Sequence, residues 1–245
     1  MKHQSHLVIG ASGGIGQAVV QDIATRYPND TVYALSRGEI DTTFNSNVVA
    51  VAMQTDDETA IKHWLAQCKA EGTAFHTVVC CTGMLHGEIE QQRIRPEKRL
   101  EDIHRDQMLA YFDANTVVPS LWLKHLVNHM VSTNAYIAML SARVGSISDN
   151  RLGGWYGYRA SKAALNMMIK TSQVEYGRRS PNTILVSYHP GTVDTGLSKP
   201  FQANVKPEKL FTPAFTAQQL ITHLAGLNRE QAPYFIDWEG KLVNW

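Results

Sequence analysis

Tyr158 and Lys162 stand four residues apart in Gly157-Tyr158-Arg159-Ala160-Ser161-Lys162-Ala163-Ala164-Leu165-Asn166-Met167. On a helix that spacing puts both side chains on one face, a turn apart. The chemistry open to such a pair is proton transfer at an oxygen. A free phenol ionises near pH ~10 and is a poor acid or base at neutrality. An ammonium beside it favours the phenolate, and a shift of about three pH units requires roughly 4 kcal/mol. Two unit charges about 4 Å apart at an effective dielectric near 20 supply about that much. Isolated Tyr-x-x-x-Lys pairs occur on many helices without function, so the neighbourhood decides.

A second constellation lies near the N-terminus. Leu7-Val8-Ile9 has the character of a strand, runs into Gly10-Ala11-Ser12-Gly13-Gly14-Ile15-Gly16, and is followed by a helical pattern from Gln17. Strand, glycine turn and helix together form the context in which backbone N–H groups hold a phosphate. Gly10 permits a tight turn, the middle glycines admit a pyrophosphate, and Gly16 allows close helix packing. The spacing G-x-x-x-G-x-G departs from the common dinucleotide fingerprint G-x-G-x-x-G.

These groups need a scaffold. Short β-rich runs at His6–Ile9, Thr31–Leu35, Val48–Ala52, Thr77–Cys81, Ala135–Leu140, Thr183–Ser187 and Tyr234–Ile236 alternate with helical patterns. The helices are expected near Ile15–Arg26, Asp57–Glu71, Arg105–Met130, Tyr156–Gly177 and Ala217–Leu227. Alternation of this kind predicts a single α/β, doubly wound Rossmann domain over 1–245, with a seven-stranded, mainly parallel sheet flanked by helices. The longest irregular stretch, Gly191 to Pro213, follows a strand's carboxyl end, where functional loops gather.

Composition narrows the function. The 245 residues carry a formal net charge of +1, which gives no electrostatic footprint for nucleic acid. The densest charged run, Gln91 to Asp106, mixes Arg93, Arg95, Lys98, Arg99 and Arg105 with Glu97, Glu101, Asp102 and Asp106. It reads as a mixed-sign, solvated helix face. Cys68, Cys80 and Cys81 imply core thiols in a reducing compartment, not a disulfide framework. No spacing of His, Cys, Asp or Glu suggests a metal site. A polar Met1–His6 and the lack of any long apolar run predict neither signal peptide nor membrane span, hence a cytoplasmic protein.

Gly10-Ala11-Ser12-Gly13-Gly14-Ile15-Gly16 together with Tyr158-x-x-x-Lys162 resembles the short-chain dehydrogenase/reductase family over essentially the whole chain. Ser141-Ala142-Arg143-Val144-Gly145-Ser146-Ile147 and the C-terminal Phe235-Ile236-Asp237-Trp238-Glu239-Gly240 are similar to its C-factor and sniffer-type carbonyl reductase branch. The resemblance implies that Tyr158 is the acid/base, that Lys162 tunes it and holds the nicotinamide ribose, and that Asn115 anchors a water relay. It implies a catalytic hydroxyl at the fifth strand's end. Strict register puts Ala142 there, leaving Ser141, Ser146 or no serine in the role, with Ser141 favoured.

For the cofactor, the resemblance implies contacts from Gly10, Ser12, Gly14, Ile15, Gly16, Gly83, Val193 and Thr195, besides Tyr158 and Lys162, and a substrate lid near 192–213. Gln54 or Asp56 takes the adenine position. Ser36-Arg37 follows the second strand where enzymes preferring NAD(H) place a carboxylate, so NADP(H) is predicted. The expected activity is reduction of a small-molecule carbonyl with NADPH by a homodimer or homotetramer. A sensing or cell–cell signalling protein of C-factor type, with little turnover, is the alternative. His189 is expected to be a packed or solvated histidine, not a catalytic one.

Overall fold

A computed structural model of the chain describes residues 3–40, 42, 45–89 and 92–245. Seven strands, β1 (Ser5–Ile9), β2 (Thr31–Ser36), β3 (Val48–Ala52), β4 (Phe75–Cys80), β7 (Ala135–Leu140), β8 (Thr183–His189) and β11 (Tyr234–Asp237), form one sheet. Their order is β3-β2-β1-β4-β7-β8-β11 and every pairing is parallel. The order reverses between β1 and β4, which opens a crevice at the strands' carboxyl ends. Short pairs, β5 (Gly87–Ile89) with β6 (Gln92–Ile94) and β9 (Thr192–Val193) with β10 (Leu210–Phe211), lie outside the sheet.

Central strands are buried on both faces, so their sequences read as continuous apolar runs. Along β1, Val8 faces one core cluster and Leu7 and Ile9 the other. Helices α1 (Gly14–Arg26) and α6 (Pro213–Leu224) cover the first through Val19, Ile23, Leu220 and Leu224. On the opposite face lie α2 (Glu58–Ala70), α3 (Arg105–Phe112), α4 (Val118–Leu126) and α5 (Tyr156–Arg179), the core there holding Leu65, Trp122, Leu126, Leu165 and Ile169.

The helix expected over Arg105–Met130 is broken: residues Asp113–Val117 wind as a π-turn between α3 and α4. Pro119 supplies the reason. It has no N–H for the carbonyl four residues back, that of Asn115, and Val118 donates to Asp113, five back. The charged run beginning at Gln91, itself outside the described residues, is not one solvated helix face either. It supplies β6, a 3₁₀ turn at Leu100–Asp102 and the start of α3, and Glu97 within it is buried. The stretch read as irregular between Gly191 and Pro213 contains the β9–β10 pair and 3₁₀ turns at Lys199–Asn204 and Pro207–Lys209. Among the described residues, no helix is long and apolar enough to cross a membrane.

Candidate active site

The glycine turn is built for close approach. Gly10 adopts φ +79°, and both Gly10 and Ala11 donate to the Leu35 carbonyl, fixing the turn to β2. A Cβ on Gly16 would stand 2.2 Å from the Gly10 carbonyl oxygen, and one on Gly14 would stand 2.9 Å from Thr195 Cγ2. Only glycine fits at 16, where the helix crosses its own turn. Gly13 N-caps α1 without a side-chain acceptor, so no side chain occupies the positive end of the helix. A cavity of about 330 Å³ runs from Gly13–Gly16 past Thr82, Gly83 and Thr195 to Tyr158 and Lys162. Backbone amides, a helix N-terminus and a cavity leading to a phenol and an ammonium fit a dinucleotide.

At the β2 end of this turn, the Ser36 hydroxyl donates to that of Ser12 and accepts from the Gly38 amide at 3.1 Å. Arg37 is exposed, with Nη1 3.5 Å from an Asp56 carboxylate oxygen. Gln54 is exposed at the end of β3. Thr55, between Gln54 and Asp56, is anchored where its carbonyl accepts from Trp122 Nε1 at 2.8 Å. Of the two adenine candidates, Asp56 is thus the one tied to Arg37.

Helix α5 carries Tyr158 and Lys162, both nearly buried, to the floor of the crevice. Lys162 Nζ donates to the Leu140 carbonyl at 2.8 Å and lies 5.9 Å from the Tyr158 ring centre. Burial pushes the Lys162 ammonium down to about 8 and raises the Tyr158 phenol above its usual value. The ammonium was expected to lower the phenol; burial raises it instead. Gly83 faces the pair, since a Cβ there would stand 3.2 Å from Lys162 Nζ and 3.0 Å from Asn115 Oδ1.

Asn115, fully buried in the π-turn, clamps the segment after Gly83. Its Oδ1 accepts from the Met84 amide at 2.8 Å, and its Nδ2 donates to the Met84 carbonyl at 2.9 Å and to Ser161 Oγ at 3.1 Å. Asn115, Gly83, Lys162 and Tyr158 are therefore brought together as expected. Cys80 and Cys81, just before Gly83, are held as neutral thiols, burial raising both above the ordinary thiol range.

At the end of β7 the candidate serines differ in their surroundings. Ser141 and Ala142 both line the crevice, but the Ser141 hydroxyl donates to Asn166 Oδ1 at 2.6 Å. Its one hydrogen therefore faces Asn166, which in turn donates to the Gly145 carbonyl at 3.3 Å. Ala142 packs with Tyr158, Tyr111 and Leu85. Ser146 is buried, with its hydroxyl near that of the exposed Ser148 and accepting from the Asp149 amide at 3.2 Å. A methyl group thus occupies the place beside Tyr158 where a hydroxyl was sought.

Beyond Tyr158 lies a second cavity of about 320 Å³, bounded by Ala142, Val144, Trp155, Leu197, Phe201 and Val205. Trp155 stacks edge-on against Phe201 of the 192–213 segment, 5.2 Å between centres, and against Tyr158 at 6.1 Å. Val193 is buried; its carbonyl accepts from Ser198. His189 packs at 5.4 Å against Trp238 and is pushed down to about 3 by burial, a neutral core histidine as expected. Sequence reading placed Phe201 in the lid but assigned no role to Trp155 or Asn166. Asn166 lies one helical turn beyond Lys162 and so shares its face, a signal that was available.

The model of the family described as short chain dehydrogenase matches residues 4–206. The chain belongs to that family. The 1-hydroxy-2-glutathionyl-2-methyl-3-butene dehydrogenase of Rhodococcus sp. strain AD45 is 24% identical over 98% of both chains. The C-signal of Myxococcus xanthus is 32% identical over 44% of this chain and 60% of its own. Among solved structures, the carbonyl reductase Sniffer of D. melanogaster superposes with a TM-score of 0.83 at 20% identity, over the whole of both chains. A short-chain dehydrogenase/reductase from Burkholderia multivorans with bound NADP gives 0.82, also at 20% identity over both whole chains. C-signal and Sniffer agree with the C-factor and sniffer-type branch that the 141–147 and C-terminal segments resemble.

Proposed function

We propose that this short chain dehydrogenase is an NADPH-dependent carbonyl reductase, a single domain over residues 1–245 with a substrate lid near 192–213. The observation that carries the reading is the position of Tyr158, which borders both the cavity leading from the glycine turn and the apolar cavity under the lid. A proton donor at that junction touches whatever bridges the two spaces. Gly10, Ser12, Gly14, Ile15 and Gly16 would hold the pyrophosphate, Ser36 and Arg37 the phosphorylated ribose, Gln54 or Asp56 the adenine, and Gly83, Val193, Thr195 and Lys162 the nicotinamide end. When bound, the reduced nicotinamide supplies the hydride for the carbonyl carbon.

The protein's own part is the proton. Burial raises the Tyr158 phenol and so keeps it in the acid form that carbonyl reduction consumes. Tyr158 gives its proton to the carbonyl oxygen and becomes a phenolate, whose charge the Lys162 ammonium balances. With a pKa near 8, Lys162 can both release and regain a proton at neutral pH, returning one to Tyr158. The Asn115 carbonyl, left without a helical donor by Pro119, is suited to hold the water that resupplies Lys162. Ser141 acts on the site through Asn166, as part of the wall. Trp155, Phe201 and Leu197 favour an apolar or aromatic carbonyl compound.

The protein is read as a cytoplasmic homodimer or homotetramer. Its three free cysteines suit a reducing compartment, and α5 exposes Met167, Met168 and Val174 on a face suited to a second copy. Leu123, Leu126, Val127, Leu165 and Ile169 belong to the core and take no part in such a face.

One observation favours a second reading, a cofactor-binding sensor with little turnover: the methyl group of Ala142 where related enzymes carry a hydroxyl. NADPH consumption by the purified protein, measured across aldehydes, ketones and quinones, separates the two. Turnover of at least one class is expected. Tight NADPH binding with no turnover on any compound would transfer the case to the sensor.

A further inference from the structure

Glu97 is a buried carboxylate without a basic partner among the described residues, and the reaction as derived does not use it. It lies in the segment between β6 and α3, about sixty positions before α5 in the chain, yet its three acceptors are all engaged. Oε2 accepts from the Gly157 amide at 3.1 Å, Oε1 accepts from Gln107 Nε2 at 2.7 Å, and the backbone carbonyl accepts from the Trp155 amide. Gln107 is fixed in turn, its Oε1 accepting from the Arg95 amide at 3.1 Å.

Gly157 and Trp155 belong to the first turn of α5, the helix that carries Tyr158. That turn has no cap of its own. Trp155, the N-cap, makes no side-chain capping bond and sits in the left-handed region at φ +55°, and the first turn holds no acidic residue. Helix starts leave N–H groups unpaired and carry partial positive charge, so an uncapped, buried start is costly. Here the missing acceptor comes from Glu97. The approach is close enough that a Cβ on Gly157 would stand 2.9 Å from Glu97 Oε1 and 2.4 Å from the Tyr111 ring, which explains a glycine beside the tyrosine.

We propose that Glu97 is the positioning residue for Tyr158, capping α5 from a distant segment so that the phenol and the Trp155 wall keep their places at the junction of the two cavities. The proposal rests on Tyr158 being the acid/base. Tyr158 is the residue next to Gly157, and its ring lies against Trp155 and Tyr111, 6.1 and 6.2 Å between centres. Freeing the Gly157 amide from the carboxylate loosens the turn from which the phenol projects. The pyrophosphate turn lies at the start of α1, and Lys162 stands more than a turn beyond Gly157 on α5, so the effect falls on turnover more than on NADPH binding.

The test is Glu97→Gln beside the double variant Glu97→Gln/Gln107→Glu. The single change puts an NH₂ group against either the Gly157 amide or the Gln107 NH₂, so one donor must go unpaired. The double change exchanges amide and carboxylate, and every bond of the network forms again with the charge one residue away. Three quantities are read: exchange of the Gly157 amide proton by NMR, the Kd for NADPH, and kcat and KM with an aromatic diketone such as benzil.

For Glu97→Gln, faster Gly157 exchange, an unchanged Kd and a kcat lower by about tenfold or more are expected, with exchange and kcat restored in the double variant. A kcat at the wild-type level in the single variant overturns the proposal. So does a double variant in which Gly157 is protected again but kcat stays low. Should the single variant not fold, the double variant decides, since it must then both fold and turn over. Tyr158→Phe is run alongside: if it retains turnover, the acid/base reading falls by itself. If only Tyr158→Phe is inactive, the role of Glu97 alone is refuted.

Discussion

Ala142 shows how much of a reaction can hang on one atom. Its methyl group packs on Tyr158, while the neighbouring Ser141 gives its hydrogen to Asn166. Restoring the hydroxyl by Ala142→Ser should raise kcat on carbonyl substrates by about tenfold, short of the ~10²–10³ attributed to a preorganised oxyanion donor. Unchanged or lower kcat in steady-state assays would mean that the position no longer faces the carbonyl. On the proposed reading, Arg37 sets the cofactor preference at the same scale. A guanidinium pairs with a ribose 2′-phosphate where a carboxylate repels it, so Arg37→Asp should cut the NADPH-over-NADH ratio of kcat/KM by about 10–100-fold. An unaltered ratio would remove Arg37 from the phosphate site. The adjacent Asp56, 3.5 Å away, already shares that charge and tempers the preference. Tyr158 and Lys162 were legible in the sequence because helical spacing alone puts them on one face. The Ser141–Asn166 bond was not, because it depends on how the strand end turns relative to α5.

Among the elements, the π-turn between α3 and α4 has the plainest consequence. Periodicity predicted one helix from Arg105, and Pro119 in the sequence was the mark of its interruption, by removing a donor four residues after Asn115. The break turns Asn115 inward onto Met84 and Ser161, so the side chain joins the β4 loop to α5. Asn115→Ala would strand the Met84 amide and carbonyl inside the protein and should lower unfolding stability by roughly 2–4 kcal/mol in urea titrations. NADPH binding should weaken with it, since Gly83 loses its restraint. A variant within about 0.5 kcal/mol of the parent would show that the clamp bears no weight. The β5–β6 pair and the inward Glu97 escaped the sequence reading for a different reason. A mixed-charge segment reads as solvated unless the partners that bury it are known, and Gly157 lies far along the chain.

For the whole molecule, the doubly wound, parallel sheet was legible because alternating strands and helices with right-handed crossovers leave few alternatives, and all seven sheet strands were bounded within two residues. The same compactness sets a pH limit. Burial holds His76 at about 4 and His189 at about 3, and lowers His6, while each titrates near 6.5 in an unfolded chain. Between pH 6.5 and 4 the unfolded chain therefore binds protons that the folded one refuses, and stability falls as the solution is acidified. Thermal midpoints recorded at half-unit steps should decline steadily from pH 6.5 to 4; a flat profile down to pH 4.5 would contradict the burial of these rings. Central to the account is Tyr158, poised between the two cavities as proton donor. The most direct measurement compares wild type and Tyr158→Phe for NADPH binding by fluorescence titration and for NADPH consumption with a carbonyl substrate. Unchanged binding with turnover reduced by about 10²-fold or more is predicted; turnover retained within a few-fold of wild type would contradict the account.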